Sequence, residues 1–246
     1  SFWLLSRKNL LELSPSVIRD GCSHWREIVL IGLPASLSTS LNPIALSIGT
    51  AAAATLGPGS VAAYGVATKM QSFAIVPLLA LSSASSPFVG QNSGSGATDR
   101  SRLALLWCAG IAVVWSVVIA VIMLSSGEFW VSFFGESEAV RQHILTYMTI
   151  VPISFAGYGI TISLSAALNG LGRSIQALLV SGGRAIGLLA PALWIGVIAA
   201  DFEGIAFGTV VANAISGVIG LAVILKHGLT AHDGGGSMTI DSVECE

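Results

Sequence analysis

The sequence predicts an all-α integral membrane protein with six transmembrane helices, and three observations lead to that fold class. Hydrophobic residues make up 53% of the 246 residues, and charged residues make up only 10%. The mean hydropathy is +0.81. An ordinary soluble domain carries about 25% charged residues, so this composition cannot cover a water-facing surface. All 13 acidic residues lie outside six long apolar segments, as a helical membrane protein requires.

Each of the six segments is long enough to cross the hydrocarbon core, which takes about 20 apolar residues in a helix. The predicted spans one to six are residues 28–54, 61–89, 103–124, 144–168, 177–200 and 204–225. A transmembrane β-barrel would instead show alternating segments of about ten residues. Uninterrupted apolar runs such as residues 103–107 favour helices over such strands.

The lysines and arginines outside the spans predict the orientation. One side of the membrane holds Arg7, Lys8, Arg19, Arg26, Arg100, Arg102, Arg173 and Lys226. The opposite side holds Arg141 as its one base. Because loops rich in Lys and Arg stay in the cytoplasm, we predict that both termini are cytoplasmic and that the protein lies in the inner or plasma membrane. The outer segment 125–142 has four aromatic residues and is expected to form a surface helix.

The spans divide the chain into three predicted regions. Residues 1–27 are expected to hold the end of a preceding helix, residues 1–5, and a cytoplasmic linker helix that starts at Pro15. Residues 28–225 form the transmembrane lobe, and residues 226–246 are expected to be a disordered cytoplasmic tail. The first residues lack both Met and a charged leader, so we expect the chain to be part of a longer protein.

Several classes of function are excluded by the sequence. The spans contain no Asp, Glu or His, so they hold no acid–base pair for catalysis. Cys22, Cys108 and Cys245 are far apart and do not form a metal-binding or disulfide pattern. Only 11 bases and a net charge of -2 rule out a nucleic-acid-binding surface. We therefore expect no enzymatic activity, no metal and no cofactor.

Two bases lie inside predicted spans, Lys69 in span two and Arg184 in span five. A base in the middle of the bilayer costs about 2.5–3.5 kcal/mol on insertion scales, so such residues usually face a cavity or a partner. Each of them can alternatively extend its head group to the nearer interface. No acid in the spans can neutralise them, so we expect their partners to be carbonyl groups, amide side chains or water.

Other polar side chains in the spans extend this set of candidates. Asn42 and Gln71 either line an aqueous pathway or form interhelical hydrogen bonds worth about 0.6 kcal/mol each. Met70 and Phe73, next to Lys69 and Gln71, are possible apolar wall residues. The predicted substrate pathway therefore consists of Asn42, Lys69, Met70, Gln71, Phe73 and Arg184.

Proline and glycine predict how the helices bend and pack. Six prolines lie in the spans: Pro34, Pro43, Pro77, Pro87, Pro152 and Pro191. Each removes a backbone donor and bends its helix, either to permit movement or to fit the bundle. Span six has small residues four apart, at Gly204, Gly208, Ala212, Ser216 and Gly220. This spacing predicts close contact with neighbouring helices.

Several motifs occur in the order found in one transporter family. They are Gly32-Leu33-Pro34-Ala35 at the start of span one, Pro87-Phe88-Val89-Gly90-Gln91-Asn92 at the end of span two, Asn169-Gly170-Leu171-Gly172-Arg173 after span four, and Glu203-Gly204-Ile205 at the start of span six. Over residues 26–226 the sequence resembles the second half of a multidrug and toxic compound extrusion (MATE) transporter.

The resemblance implies one six-helix lobe, the C-terminal one, of a two-lobe transporter with twelve helices. It further implies efflux of drug-like organic cations by antiport against H⁺ or Na⁺. The implied partners are the lipid bilayer, the missing N-terminal lobe, an organic cation substrate and the coupling ion, with no nucleic acid. Two alternatives stay open: a flippase for lipid-linked oligosaccharides of the same superfamily, and a membrane scaffold subunit that does not transport.

The sequence departs from the family in its acidic residues. Some members carry a Glu ligand for the cation in their seventh helix, where Asn42 stands here, and residues 144–168 also lack an acid. A sodium site of that type is therefore not expected in this lobe. Because coupling to protons usually depends on an intramembrane carboxylate, we do not expect this chain to carry out coupled antiport alone.

Overall fold

In the computed structural model, residues 15–132 and 137–226 are described, and these residues form eight α-helices. The helices are α1 Pro15–Ala54, α2 Pro58–Ala74, α3 Val76–Gly94, α4 Thr98–Val131, α5 Glu138–Ile150, α6 Phe155–Gly170, α7 Ser174–Gly182 and α8 Ala190–Lys226. A 3₁₀ turn, Pro152–Ser154, joins α5 to α6, and a π-helical segment, Gly183–Leu189, joins α7 to α8. The predicted helix end at residues 1–5 and the predicted tail from residue 227 lie outside the described residues.

The described helices are sufficient for six membrane crossings. Four continuous helical stretches are long and apolar enough to span a bilayer, and the bent pair α2 and α3 adds a fifth if the two helices together form one span. The longest stretch, Ser174–Lys226, is interrupted at Ala200 and Asp201, whose backbone angles are not helical. Gly196 and Gly204 lie against each other across this break, so the chain reverses direction there and crosses twice. The predicted all-α membrane fold is confirmed.

Prolines mark several of the bends within the crossings. The axes of α2 and α3 differ by 49° at Ile75, and Pro77 lies in the first turn of α3, where its missing N–H would have no helical partner. In span four, Pro152 begins the 3₁₀ turn that separates α5 from α6. By contrast, Pro34 and Pro43 lie within the continuous helix α1.

The prediction of a separate surface helix over residues 125–142 is wrong. Helix α4 continues through Val131, well beyond the predicted end of span three at residue 124. Helix α5 then starts at Glu138, and the Ser137 side chain caps it by accepting a hydrogen bond from the Val140 amide at 3.4 Å. Aromatic residues 129–130 therefore extend a membrane helix, because the apolar sequence before them gives the helix no stop signal.

Helix α6 lies at the centre of the lobe and packs against α3, α4, α7 and α8. Backbones approach without intervening side chains at three glycine pairs: Gly90 with Gly170, Gly157 with Gly217, and Gly196 with Gly204. In the first two pairs, a Cβ atom added to either glycine would clash with backbone atoms of the facing helix. In the third pair, a Cβ atom added to one glycine would overlap the carbonyl group of the other. The small residues of span six thus allow two close contacts. Near Gly204 span six packs against the first half of α8, which belongs to span five, and near Gly217 it packs against α6.

Candidate functional site

Arg184 is the centre of a buried polar network that joins four membrane crossings. Its Nη1 donates a hydrogen bond to Asn213 Oδ1 at 2.9 Å, and its Nη2 donates to Asn42 Oδ1 at 3.2 Å. The guanidinium carbon also lies 4.7 Å from the centre of the Tyr158 ring. We call these four residues, with Ser154, the Arg184 network.

The other members of the network hold one another in place. The amide of Asn42 donates to the Tyr158 hydroxyl at 2.7 Å, and the amide of Asn213 donates to Ser154 Oγ at 3.0 Å. Arg184 is 8% exposed and Asn213 is 2% exposed, so the charge is removed from solvent. Its immediate partners are two amide oxygens and the face of an aromatic ring, which provide partial negative charge but no counter-ion.

Arg184 lies within the π-helical segment Gly183–Leu189. A π-helical turn adds a residue to the helical repeat, changes the direction of the following side chains and is frequent at functional sites. Gly182 and Gly183 precede the arginine, and Gly187 follows it. The irregular helix therefore coincides with the buried charge of span five.

One side of the Arg184 network opens onto a cavity of about 200 Å³, here called the serine cavity. Besides Asn42, Tyr158 and Arg184, polar residues from α1, α3, α6 and α7 line it: Ser38, Thr39, Ser82, Thr161, Ser165, Asn169 and Ser181. The Asn169 amide donates to Ser38 Oγ at 3.3 Å, whereas its buried Oδ1 has no hydrogen-bond partner among the described residues. The cavity thus adjoins a buried cation and is lined mainly by hydroxyl and amide side chains.

The opposite side of the network opens onto a smaller cavity of about 40 Å³, here called the tyrosine cavity. Tyr64, Gln71 and Thr209 line it together with the network residues Asn42, Tyr158, Arg184 and Asn213. Gln71 Oε1 accepts a hydrogen bond from the Tyr147 hydroxyl at 2.8 Å. The rings of Tyr64 and Tyr147 meet edge to face, with their centres 5.7 Å apart. The Arg184 network therefore separates two polar cavities.

The remaining predicted pathway residues lie in a different place. Lys69, Met70 and Phe73 line an open groove of about 1150 Å³ between α2 and α4, here called the Lys69 groove. Trp115 and Trp130 form part of its other wall. Lys69 is exposed, and Phe73 is 81% exposed. The structure thus brings Asn42, Gln71 and Arg184 together around the two cavities and places the other three candidates in the groove.

The predicted pathway omitted Asn213, Tyr158 and Ser154, which complete the Arg184 network. A signal for Tyr158 was available, because all three tyrosines of the chain lie within predicted spans. A buried tyrosine hydroxyl usually requires a hydrogen-bond partner, so tyrosines in a membrane helix point to polar neighbours. Ser154 gave no comparable signal, because serines are frequent throughout these helices and most bond to their own helix backbone.

The described residues contain no group of three or more His, Cys, Asp or Glu side chains that could hold a metal ion. The charged member of both cavity linings is Arg184. What these cavities can offer a solute is therefore one guanidinium, amide groups, hydroxyl groups and aromatic faces.

Comparison with known proteins identifies related transporters. The sequence model of the MatE family matches residues 34–195. A curated relative, an FAD transporter of Shewanella oneidensis, is 25% identical over 217 residues, which are 88% of this chain and 48% of the relative.

Two solved structures share the fold. The crystal structure of a mutant of VcmN, a MATE transporter of Vibrio cholerae, superposes with a TM-score of 0.80 at 24% identity, covering 90% of this chain and 50% of that chain. A transporter of the MOP superfamily from Pyrococcus furiosus superposes with a TM-score of 0.73 at 20% identity, covering 88% and 49%. The chain thus spans about half the length of the proteins that it matches.

Proposed function

Because this chain belongs to the MatE family of membrane transporters, we propose that it forms the C-terminal half of a secondary active exporter of organic solutes. In the proposed mechanism the driving ion is H⁺ or Na⁺, and this lobe moves against an N-terminal lobe around a central site. Transporter sites of this kind lie near the bilayer midplane, between the two repeats. The first substrate class that we propose is the drug-like organic cation, as the family resemblance implies.

The observation that carries the proposal is the Arg184 network with its two cavities. A purely structural bundle would fill the middle of its helices with apolar side chains, because each buried polar group costs free energy unless it is bonded. Here a charged side chain and two asparagines lie between cavities that penetrate the lobe from α1, α6 and α7. Such intramembrane polar residues typically mark solute or ion pathways.

The Lys69 groove offers a complementary surface for the apolar part of a solute. Its walls include Met70, Phe73 and two tryptophans, whose rings can stack on flat drug-like molecules. Cation recognition would depend on these aromatic faces and on the other lobe, since no acid lies within the spans of this chain. Coupling to H⁺ or Na⁺ would likewise depend on a carboxylate of the other lobe.

A second candidate substrate is an organic anion such as FAD. The curated relative from Shewanella oneidensis is named an FAD transporter. The Arg184 network favours this candidate, because its net charge is positive and its cavities contain no acid. The flippase alternative stays open, because FAD and a lipid-linked oligosaccharide each carry a pyrophosphate and the two cavities offer either of them one base.

Reconstitution separates these functions. Residues 1–246 in liposomes are expected to take up neither ethidium nor FAD under an imposed pH or sodium gradient. The same chain joined to an N-terminal MATE lobe is expected to transport one of them, and the transported compound identifies the substrate charge. Gradient-driven transport by the chain alone would overturn its assignment as half of a transporter. Failure of the two-lobe protein to move any organic solute would favour the scaffold alternative.

A further inference from the structure

We propose that the serine cavity binds an oxyanion, the carboxylate or phosphate group of an organic solute, with Arg184 as the residue that holds it. This inference rests on the proposed transporter function and favours its second substrate candidate, the organic anion. Three features support it: the charge of the site, the donors of Arg184 and the volume of the cavity.

The site carries one positive charge and no negative charge, which favours the binding of an anion. Arg184 is 8% exposed, and its partners Asn42, Asn213 and Tyr158 are all neutral. Every acidic residue of the sequence lies outside the spans, and the described hydrogen bonds of the guanidinium go to neutral amide oxygens. A buried cation is costly unless it is paired. An anionic group in the adjoining cavity would supply the missing counter-charge.

The guanidinium has hydrogen-bond donors to spare. It carries five N–H groups, of which the described contacts use one on Nη1 and one on Nη2. Arg184 lines the serine cavity as well as the tyrosine cavity, so a solute at either opening would lie next to the side chain that carries the remaining N–H groups. A planar guanidinium fits the two oxygens of a carboxylate or phosphate in bidentate fashion, which a lysine cannot do.

The cavity volume limits what can enter. A volume of about 200 Å³ corresponds to the space of roughly six or seven waters in the liquid. It accommodates a phosphate or carboxylate with a few neighbouring atoms, but not a whole dinucleotide. A larger solute would place its anionic group here and leave its remaining atoms outside the lobe.

Two flavins that differ in one phosphate test the proposal. FMN carries the phosphate, and riboflavin has the same ring and hydroxyl groups without it. Binding of both to the purified 246-residue chain in detergent is measured by flavin fluorescence anisotropy at fixed ionic strength. We expect FMN to bind at least about tenfold more tightly than riboflavin, which is the order expected for a charge-assisted hydrogen bond. Excess inorganic phosphate should compete with FMN if the site accepts a free oxyanion, and should not if it requires the organic part.

Three variants locate the effect. Arg184→Gln should reduce FMN binding to the level of riboflavin, and Arg184→Lys should retain part of the preference because it keeps the charge but loses the planar fork. Lys226→Gln removes an exposed base at the end of α8 and should leave the preference within about twofold, since Lys226 lines neither cavity. If Arg184→Gln does not fold, the loss in Arg184→Lys relative to Lys226→Gln decides.

Three binding results would contradict the proposed oxyanion site. Equal binding of FMN and riboflavin to the native chain, no binding of either, or a preference that survives Arg184→Gln would each refute it. Transport by the two-lobe protein is a separate readout. Solute transport without any phosphate preference would refute the anion site and leave the transporter function standing, whereas phosphate-dependent binding without transport would refute the function and retain the site.

Discussion

The two intramembrane bases differ in almost every feature of their surroundings. Arg184 is buried in a π-helical turn, bonded to two asparagines and stacked on Tyr158. Lys69 is exposed in the groove between α2 and α4, among apolar and aromatic side chains. By sequence they look alike, because each is one base in an otherwise apolar span. Their structures show that one charge is held inside the lobe and the other is left at its surface.

The comparison separates two ways of tolerating a charge in a membrane helix. A surface lysine extends its flexible stem toward polar surroundings and places few demands on its neighbours. A buried guanidinium imposes demands on every residue around it, because loss of one partner leaves the charge uncompensated. Mutations around Arg184 should therefore have large effects on stability, and mutations at Lys69 should have small ones.

The largest effect is expected for Asn213→Ala. Asn213 accepts from Arg184 at 2.9 Å and donates to Ser154 at 3.0 Å, so its loss leaves a buried charge with one amide partner. Removing a neutral hydrogen-bond partner from a buried charge in this way costs about 3 kcal/mol, the upper end for hydrogen bonds to charged groups. The free energy of unfolding, measured by SDS titration in mixed micelles, should fall accordingly. A loss below about 1 kcal/mol would show that water in the cavities replaces the asparagine.

Removing the charge itself should reverse most of that loss. In the double variant Asn213→Ala and Arg184→Met, no buried charge remains to be compensated, so the free energy of unfolding should lie above that of Asn213→Ala alone. The coupling energy is expected at about 1–3 kcal/mol, the range for residues in one network. The single variant Arg184→Met completes the cycle. Additive losses would mean that the two side chains contribute independently, contrary to the described hydrogen bond.

A smaller effect is expected at the edge of the tyrosine cavity. Gln71→Leu removes the acceptor of the Tyr147 hydroxyl, which lies at 2.8 Å in the wild type. A buried donor left without its acceptor costs about 1–3 kcal/mol. Tyr147→Phe removes the same bond from the other side and serves as the matched control. If neither variant changes the unfolding midpoint, the hydroxyl has found another partner.

The smallest effect on stability is expected for Lys69→Met. An exposed side chain outside any network usually changes stability by less than about 0.5 kcal/mol. Transport by the two-lobe protein should nevertheless change, because Lys69 contributes the charge of the Lys69 groove. Unaltered transport kinetics in a folded, inserted variant would remove Lys69 from the proposed pathway and leave it as an interfacial lysine.

The orientation of the protein in the membrane can be tested by cysteine labelling. The substitutions should not alter stability beyond the loss of the Ser137 cap. A cysteine at Ser137, in a background without Cys22, Cys108 and Cys245, should react with an impermeant thiol reagent in intact cells. A cysteine at Ser95, in a loop on the predicted cytoplasmic side, is the control and should be protected. Labelling at Ser95 with protection at Ser137 would invert the predicted topology.

The fold could be predicted from the sequence because its main signals are local. Apolar length fixes a span within one segment, and the positions of Asp and Glu mark the segment ends. The interruption at Ala200 and Asp201 was predicted for the same reason, since Asp201 and Glu203 divide the apolar residues. The extended α4 was not predicted, because interfacial aromatic residues fit the end of a long helix as well as a separate one.

The site could be predicted only in part because its contacts are distant in sequence. Asn42 and Arg184 were both singled out as polar residues in apolar spans, but their hydrogen bond joins positions 142 apart. The roles of Asn213 and Tyr158 depend on how α6 and α8 pack beside α1. For Lys69 the limit is different, because the sequence of span two does not show which face of its helix packs against neighbouring helices.

The three glycine pairs described above have a mechanical consequence. Direct backbone contacts tie span two to span four at Gly90 and Gly170, span four to span six at Gly157 and Gly217, and span five to span six at Gly196 and Gly204. Close-packed contacts transmit displacement and have little room to slide. Spans two, four, five and six should thus move as one rigid body. Spans one and three lie outside these ties. Of the two, span one lines the serine cavity and contains Pro34 and Pro43, so a hinge that opens this cavity is expected there, with Asn42 next to its pivot.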